Sequence, residues 1–139
     1  MPTLTRWMIR SSFAWLAIGM VIQAASPFSS ALPAPRLLAG LRAFELHALT
    51  VGWLTQLIFG VVFWMFPKAS LEKPRGSEHL GWATYGCLNF GLVLRLVGEP
   101  LAAAGLTASA AWALPASAVL QWLAALAFVG NTWARVKER

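Results

Sequence analysis

Apolar runs long enough to cross a bilayer recur four times in this chain, at roughly residues 7–27, 44–66, 80–98 and 112–134. No other feature restricts the possible folds so tightly. A hydrocarbon layer of ~30 Å takes about 20 residues of helix to cross. Inside it every backbone N–H and C=O needs a partner within the protein, which helices supply for themselves and open strands do not. The expected fold is therefore all-α: an integral membrane four-helix bundle forming one transmembrane domain over residues 1–139. Composition agrees, since 58% of residues are hydrophobic, 12% are charged and none is Asp, against about 25% charged in a soluble domain.

The segments between the spans are rich in helix breakers. Pro67, Pro74 and Pro100 lack an N–H and crowd the preceding turn, so the second and third spans are expected to stop at or before them. Residues from Glu99 to Ala111 then read as a connection, and Pro115 falls in the first turn of the fourth span. The N-terminal MPTLTRWMIR followed by an apolar run resembles a secretory leader in make-up; it is read as a retained span. Lone Cys87 excludes an internal disulfide and any Cys-based metal motif.

A net charge of +6 would suggest nucleic acid in a soluble protein, but here the basic residues gather at span ends. Arg6, Arg10, Lys68, Lys73, Arg75, Arg135, Lys137 and Arg139 fall on one side, and Arg36, Arg42 and Arg95 on the other. The side richer in Lys and Arg is the cytoplasmic one, so both termini are expected in the cytoplasm, with His47 near the outer face and His79 near the inner. The partner implied is the lipid bilayer, in a bacterial cytoplasmic membrane, and no nucleic acid. Trp7, Trp53, Trp64, Trp82, Trp112 and Trp133 lie mostly near span ends, where indoles anchor at the headgroup level.

The second span carries the informative chemistry. At about 100° per residue, Thr50, Val51, Leu54, Ile58, Val61 and Met65 share the face of His47, an aliphatic slot below an imidazole. Glu45, Gly52, Gln56 and Gly60 share the opposite face. Small or polar residues at i, i+4 and i+8 let two membrane helices approach closely. Gln56, Asn89 and Gln121 fall near the middles of their spans, suited either to interhelical hydrogen bonds or to a polar proton or ligand path. Arg95 with Glu99, and Arg42 with Glu45, are spaced for ion pairs at the outer boundary; the same arginines could instead meet a bound carboxylate or propionate. His79, beside Glu78, lies ~24 Å along the third helix from Arg95, a position for an interfacial residue or for an inner ligand or proton site.

A histidine inside a span can be a hydrogen-bonded structural residue, a metal ligand, a proton carrier or a haem ligand. Bare zinc or copper takes three or four ligands, more than the chain offers around His47. Haem takes one imidazole, apolar walls and cations near its propionates. With no second histidine at that depth, six-coordinate haem would need His47 of a neighbouring subunit or another second ligand. Five-coordinate haem would leave a site for a gas.

The stretch HALTVGWLTQLIFGVVFWMFP, His47 to Pro67, resembles a haem-ligand helix of the heme-copper oxidase catalytic subunit and related nitric-oxide-handling membrane proteins. Those proteins have twelve helices in three arcs of four, with a ligand histidine toward the outer end of an arc's second helix and arginines near the haem propionates. The resemblance implies a single-arc relative that binds haem b, with His47 as iron ligand, Thr50, Val51 and Leu54 beside the ring, and Arg42 and Arg95 near the propionates. It implies a homo-oligomer: three copies rebuild a twelve-helix ring, or two share one haem. Position 51 holds Val rather than Tyr, no histidine pair follows the third helix, and eight helices are missing, so neither copper nor oxygen reduction is implied. The expected role is electron transfer or gas binding, with a redox protein or quinone as possible partner. The alternatives are a cofactor-free accessory or assembly subunit of a respiratory complex, and a small-molecule or proton carrier.

Overall fold

The computed structural model describes residues 1–31, 35–71 and 74–136. Among them there are helices and no strand. Helix α1 spans Thr3–Ala25, α2 Pro35–His47, α3 Gln56–Met65, α4 Glu78–Ala103 and α5 Thr107–Thr132. A run of π-helix, Ala48–Thr55, joins α2 to α3 without a break, so that α2, the π run and α3 form one continuous span. Four stretches are long and apolar enough to cross a membrane: Thr3–Phe28, Arg36–Met65, Glu78–Ala103 and Ala110–Arg135. Lys73, Lys137 and Arg139 lie outside the described residues.

Span ends meet expectation at Pro67 and differ at Pro100. The chain does leave helix at Phe66, whose φ and ψ are extended, as a residue before proline prefers. Helix α4, however, runs through Pro100 to Ala103. The missing N–H removes one rung, but the Ala-rich turn beyond it is a strong helix former and the ladder resumes with Ala104 N–H to Pro100 O at 2.9 Å. The helix stops instead at Gly105, whose φ of 85° is open to glycine. There Leu106 N–H reaches Leu101 O (2.9 Å) and Gly105 N–H reaches Ala102 O (3.0 Å), a Schellman cap. The connection to α5 is thus three residues long, and Pro115 lies well inside α5 rather than in its first turn.

The glycine face of the second span packs as its spacing suggests. A Cβ at Gly52 would lie 2.7 Å from Trp15 Cγ, and one at Gly60 would lie 2.9 Å from Met8 Cβ, so α1 rests directly on the backbone there. Between the two glycines, buried Gln56 donates from Nε2 to Met8 O at 3.3 Å. Helices α4 and α5 form the most extensive pair, and α2 crosses α4. The contact is close enough that Glu99 O and Pro100 leave no room for a side chain at Gly40.

All four spans contribute to one apolar centre of Trp15, Phe44, Ala48, Leu88, Leu92 and Ala124. Leu4, Met8 and Phe63 make a second, nearer the end where the chain begins. Polar residues stitch the helices together: Trp15 Nε1 donates to Asn89 Oδ1 (2.8 Å), Ser11 Oγ pairs with Tyr85 Oη (2.8 Å) and Ser117 Oγ donates to Gly91 O (2.6 Å). Asn89 is therefore interhelical like Gln56, whereas Gln121 bonds Ser117 on its own helix. The outer faces stay apolar. Trp112, Trp122 and Trp133 of the α5 side are 82%, 62% and 77% exposed, which suits hydrocarbon and headgroups as surroundings.

Candidate functional site

His47 is the last residue of α2, and the π run begins at the next position. The sequence favours a loosened ladder here. Thr50, Val51 and Thr55 are β-branched and Gly52 has low helix propensity. In a π turn each N–H reaches back five residues, as Gln56 N–H does to Val51 O. Hydroxyls take up carbonyls along the run: Thr50 Oγ1 donates to Leu46 O (2.6 Å) and Thr55 Oγ1 to Thr50 O (2.8 Å). Runs of this kind are rare inside α-helices and gather at functional sites.

The widened turn changes which residues share a face. Phe44 and Ala48 on either side of His47 are fully buried, and His47 itself is half-buried at the edge of the bundle. Val51 is partly buried and packs against the central apolar cluster. Thr50 is exposed, and Leu54, Ile58 and Met65 are 48%, 49% and 68% exposed. These residues line an uncovered stripe on the outside of the single chain. His47 Nδ1 lies 3.4 Å from Ala43 O. A carbonyl can only accept, so this contact favours the tautomer with the proton on Nδ1 and leaves the lone pair on Nε2.

The arginines have different fates. Arg95 Nη1 donates to Glu99 Oε1 at 2.9 Å, forming an ion pair, and Nε donates to Ser117 Oγ at 3.4 Å. Its fork is therefore committed to α4 and α5. Arg42 is exposed, while Glu45 is only 8% exposed. The expected Arg42–Glu45 pair does not form: among the described residues the ion pair is Arg95–Glu99. His79 is exposed in the first turn of α4, one residue before the Leu80 amide that Ser77 Oγ caps at 3.4 Å.

Could these residues hold haem within one chain? An apolar groove between α1 and α2, of about 160 Å³, is lined by Val21, Ile22, Ala25, Ser26, Leu38 and Leu41 and does not include His47. Ligand pockets usually hold ~300–1,000 Å³. The imidazole fits the group as a ligand and the stripe fits its apolar ring, but the second wall has to come from another molecule. Among the described residues no cluster of three or more His, Cys, Asp or Glu could hold a bare metal ion.

Sequence reasoning missed the opposite end of the bundle. Arg135, counted there only as an orientation charge, is 1% exposed. Its Nε donates to Pro67 O (3.0 Å) and its Nη2 to Phe63 O (3.1 Å) and Phe66 O (2.9 Å). The guanidinium also sits about 6 Å from the centres of the Phe63 and Phe66 rings. It therefore caps the last carbonyls of α3, where the negative end of the helix dipole favours a cation. The one sequence signal was an Arg just past an apolar span, which is also what a charge left in water looks like.

Comparison with protein-family models, with curated proteins and with solved structures gives no match.

Proposed function

We propose that this chain is a small membrane protein that binds haem b, with His47 as axial ligand, and serves in electron transfer or gas binding. The observation that carries the reading is His47 at the mouth of a π-helical run, with Nε2 unengaged among the described residues and an uncovered apolar stripe beside it. Ala43 O holds the ring through Nδ1, the kind of outer contact that orients a ligand histidine. Leu54 and Ile58 offer an apolar wall, Thr50 lies next to it, and Val51 backs the stripe from the core side. Exposed Arg42 is available to a propionate, whereas Arg95 would have to share its fork with Glu99. When bound, haem would supply one-electron or gas-ligand chemistry at its iron.

Because one chain leaves the stripe open, the reading includes a homo-oligomer, a dimer or trimer, whose second copy covers it. The charge asymmetry of the sequence argues for both termini in the cytoplasm of a bacterial inner membrane, with the His47 end outward. Oxygen reduction by the chain alone and a copper centre are not part of the reading.

An absorption spectrum tests it. Protein expressed with ample haem and purified in mild detergent should be red, with a Soret band that moves on reduction. His47→Ala should lose the band and His79→Ala keep it. A colourless preparation refutes the reading, and stable co-purification with larger membrane subunits would then favour the cofactor-free accessory role.

A further inference from the structure

We propose that the end of the bundle opposite His47 seats a phospholipid headgroup that carries both a phosphate and a primary ammonium. A cavity of about 370 Å³ opens there among the first turns of α1 and α4 and the end of α3, within the usual range for a ligand pocket. Leu4 and Phe63, from the second apolar cluster, lie on its apolar side. Arg75, Glu78 and the Met1 amino group supply its charges, and Trp82 its aromatic surface.

Arg75 and Glu78 line the same space with opposite charges, yet among the described residues neither takes part in an ion pair. The backbone between them is held in place. Asn131 of α5 accepts from Ser77 N–H through Oδ1 (2.7 Å) and donates to Arg75 O through Nδ2 (3.5 Å). Gly76 between them has φ of 75°, and its Cα lies so close to Asn131 that a Cβ would fall 2.5 Å from Oδ1. The loop is thus pinned to α5.

Cations and a carboxylate that line one cavity without pairing are complementary to a ligand bearing both signs. The guanidinium fork suits a phosphate. The carboxylate suits an ammonium that can donate hydrogen bonds. Arg135, held over the Phe63 ring and without a carboxylate partner among the described residues, adds positive charge at this end of the bundle. The level is right for a lipid: Trp7, Trp64 and Trp82, each 42–50% exposed, ring this end as interfacial indoles do.

The test is lipid retention by the delipidated protein, read by native mass spectrometry after incubation with vesicles of phosphatidylethanolamine, phosphatidylcholine or phosphatidylglycerol. Phosphatidylethanolamine should be retained about tenfold over phosphatidylcholine, whose quaternary ammonium cannot donate to Glu78. Glu78→Gln should erase that preference while leaving phosphatidylglycerol binding intact, and Arg75→Gln should weaken both phosphatidylethanolamine and phosphatidylglycerol. Unchanged helical circular dichroism would establish that both variants fold. Equal retention of the ethanolamine and choline lipids, or a preference that survives Glu78→Gln, overturns the proposal. Equally strong binding of free O-phosphoethanolamine overturns the lipid as its source.

Discussion

Gly52→Ala should destabilise the bundle although alanine is the better helix former. The added Cβ would meet Trp15 Cγ at 2.7 Å, Cβ at 2.8 Å and Cδ1 at 3.1 Å. Trp15 has little freedom to move away: it is 7% exposed, lies edge-on to Phe44, and is tethered through Nε1 to Asn89 Oδ1. Overpacking of this kind costs about 1–3 kcal/mol, while replacing glycine in a helix returns at most ~1 kcal/mol. The expected net loss is about 1–2 kcal/mol. Gly86 and Gly130 are the controls, since a Cβ at either meets nothing within 4 Å; alanine there should be neutral or stabilising by up to ~1 kcal/mol. A denaturant titration in mixed micelles, followed by far-ultraviolet circular dichroism, should separate Gly52→Ala from Gly86→Ala by roughly 2 kcal/mol. Equal stabilities for the two would refute the packing of α1 on the second span.

The polar contacts lead to two more expected outcomes. Arg135→Met should cost about 2–3 kcal/mol, because the carbonyls of Phe63, Phe66 and Pro67 lose a charged donor; the same titration measures it, and Arg135→Lys, with a point charge instead of a fork, should recover only part. In a double-mutant cycle Trp15→Phe and Asn89→Ala should show a coupling of roughly 0.6 kcal/mol, the usual worth of an interhelical hydrogen bond in a membrane protein, and additive losses would mean that the 2.8 Å contact contributes nothing.

The four spans were legible because twenty apolar residues in a row have few other uses, and the Gly52, Gln56, Gly60 face because close approach demands small side chains. Proline was a mixed guide to span ends, right at Pro67 and wrong at Pro100. Whether Pro100 ends a helix depends on its C-terminal neighbours, and here an Ala-rich turn and Gly105 decide the boundary. A wheel drawn at one fixed angle cannot represent the π run: Leu54 and Ile58 stand exposed on the second span while Val51 packs against the central cluster. Arg135 and Asn131 were invisible as structural residues, since their partners are carbonyls and amides more than fifty positions away. Charge counting treats every Arg at a span end alike; only the fold distinguishes Arg135, turned inward, from Arg42, left outside.

The π run also holds about one residue more than an ordinary helix would need to join the two ends of the second span. Losing a single residue between Ala48 and Thr55 would let i→i−4 bonding resume, and the lost residue and the tighter winding would offset each other, so the flanking stretches would keep their azimuth. Arg42 and His47 would keep their direction while Gly60 and Phe63 kept their seats on α1. Descendants of such a chain can lose one codon there and leave both ends of the molecule undisturbed.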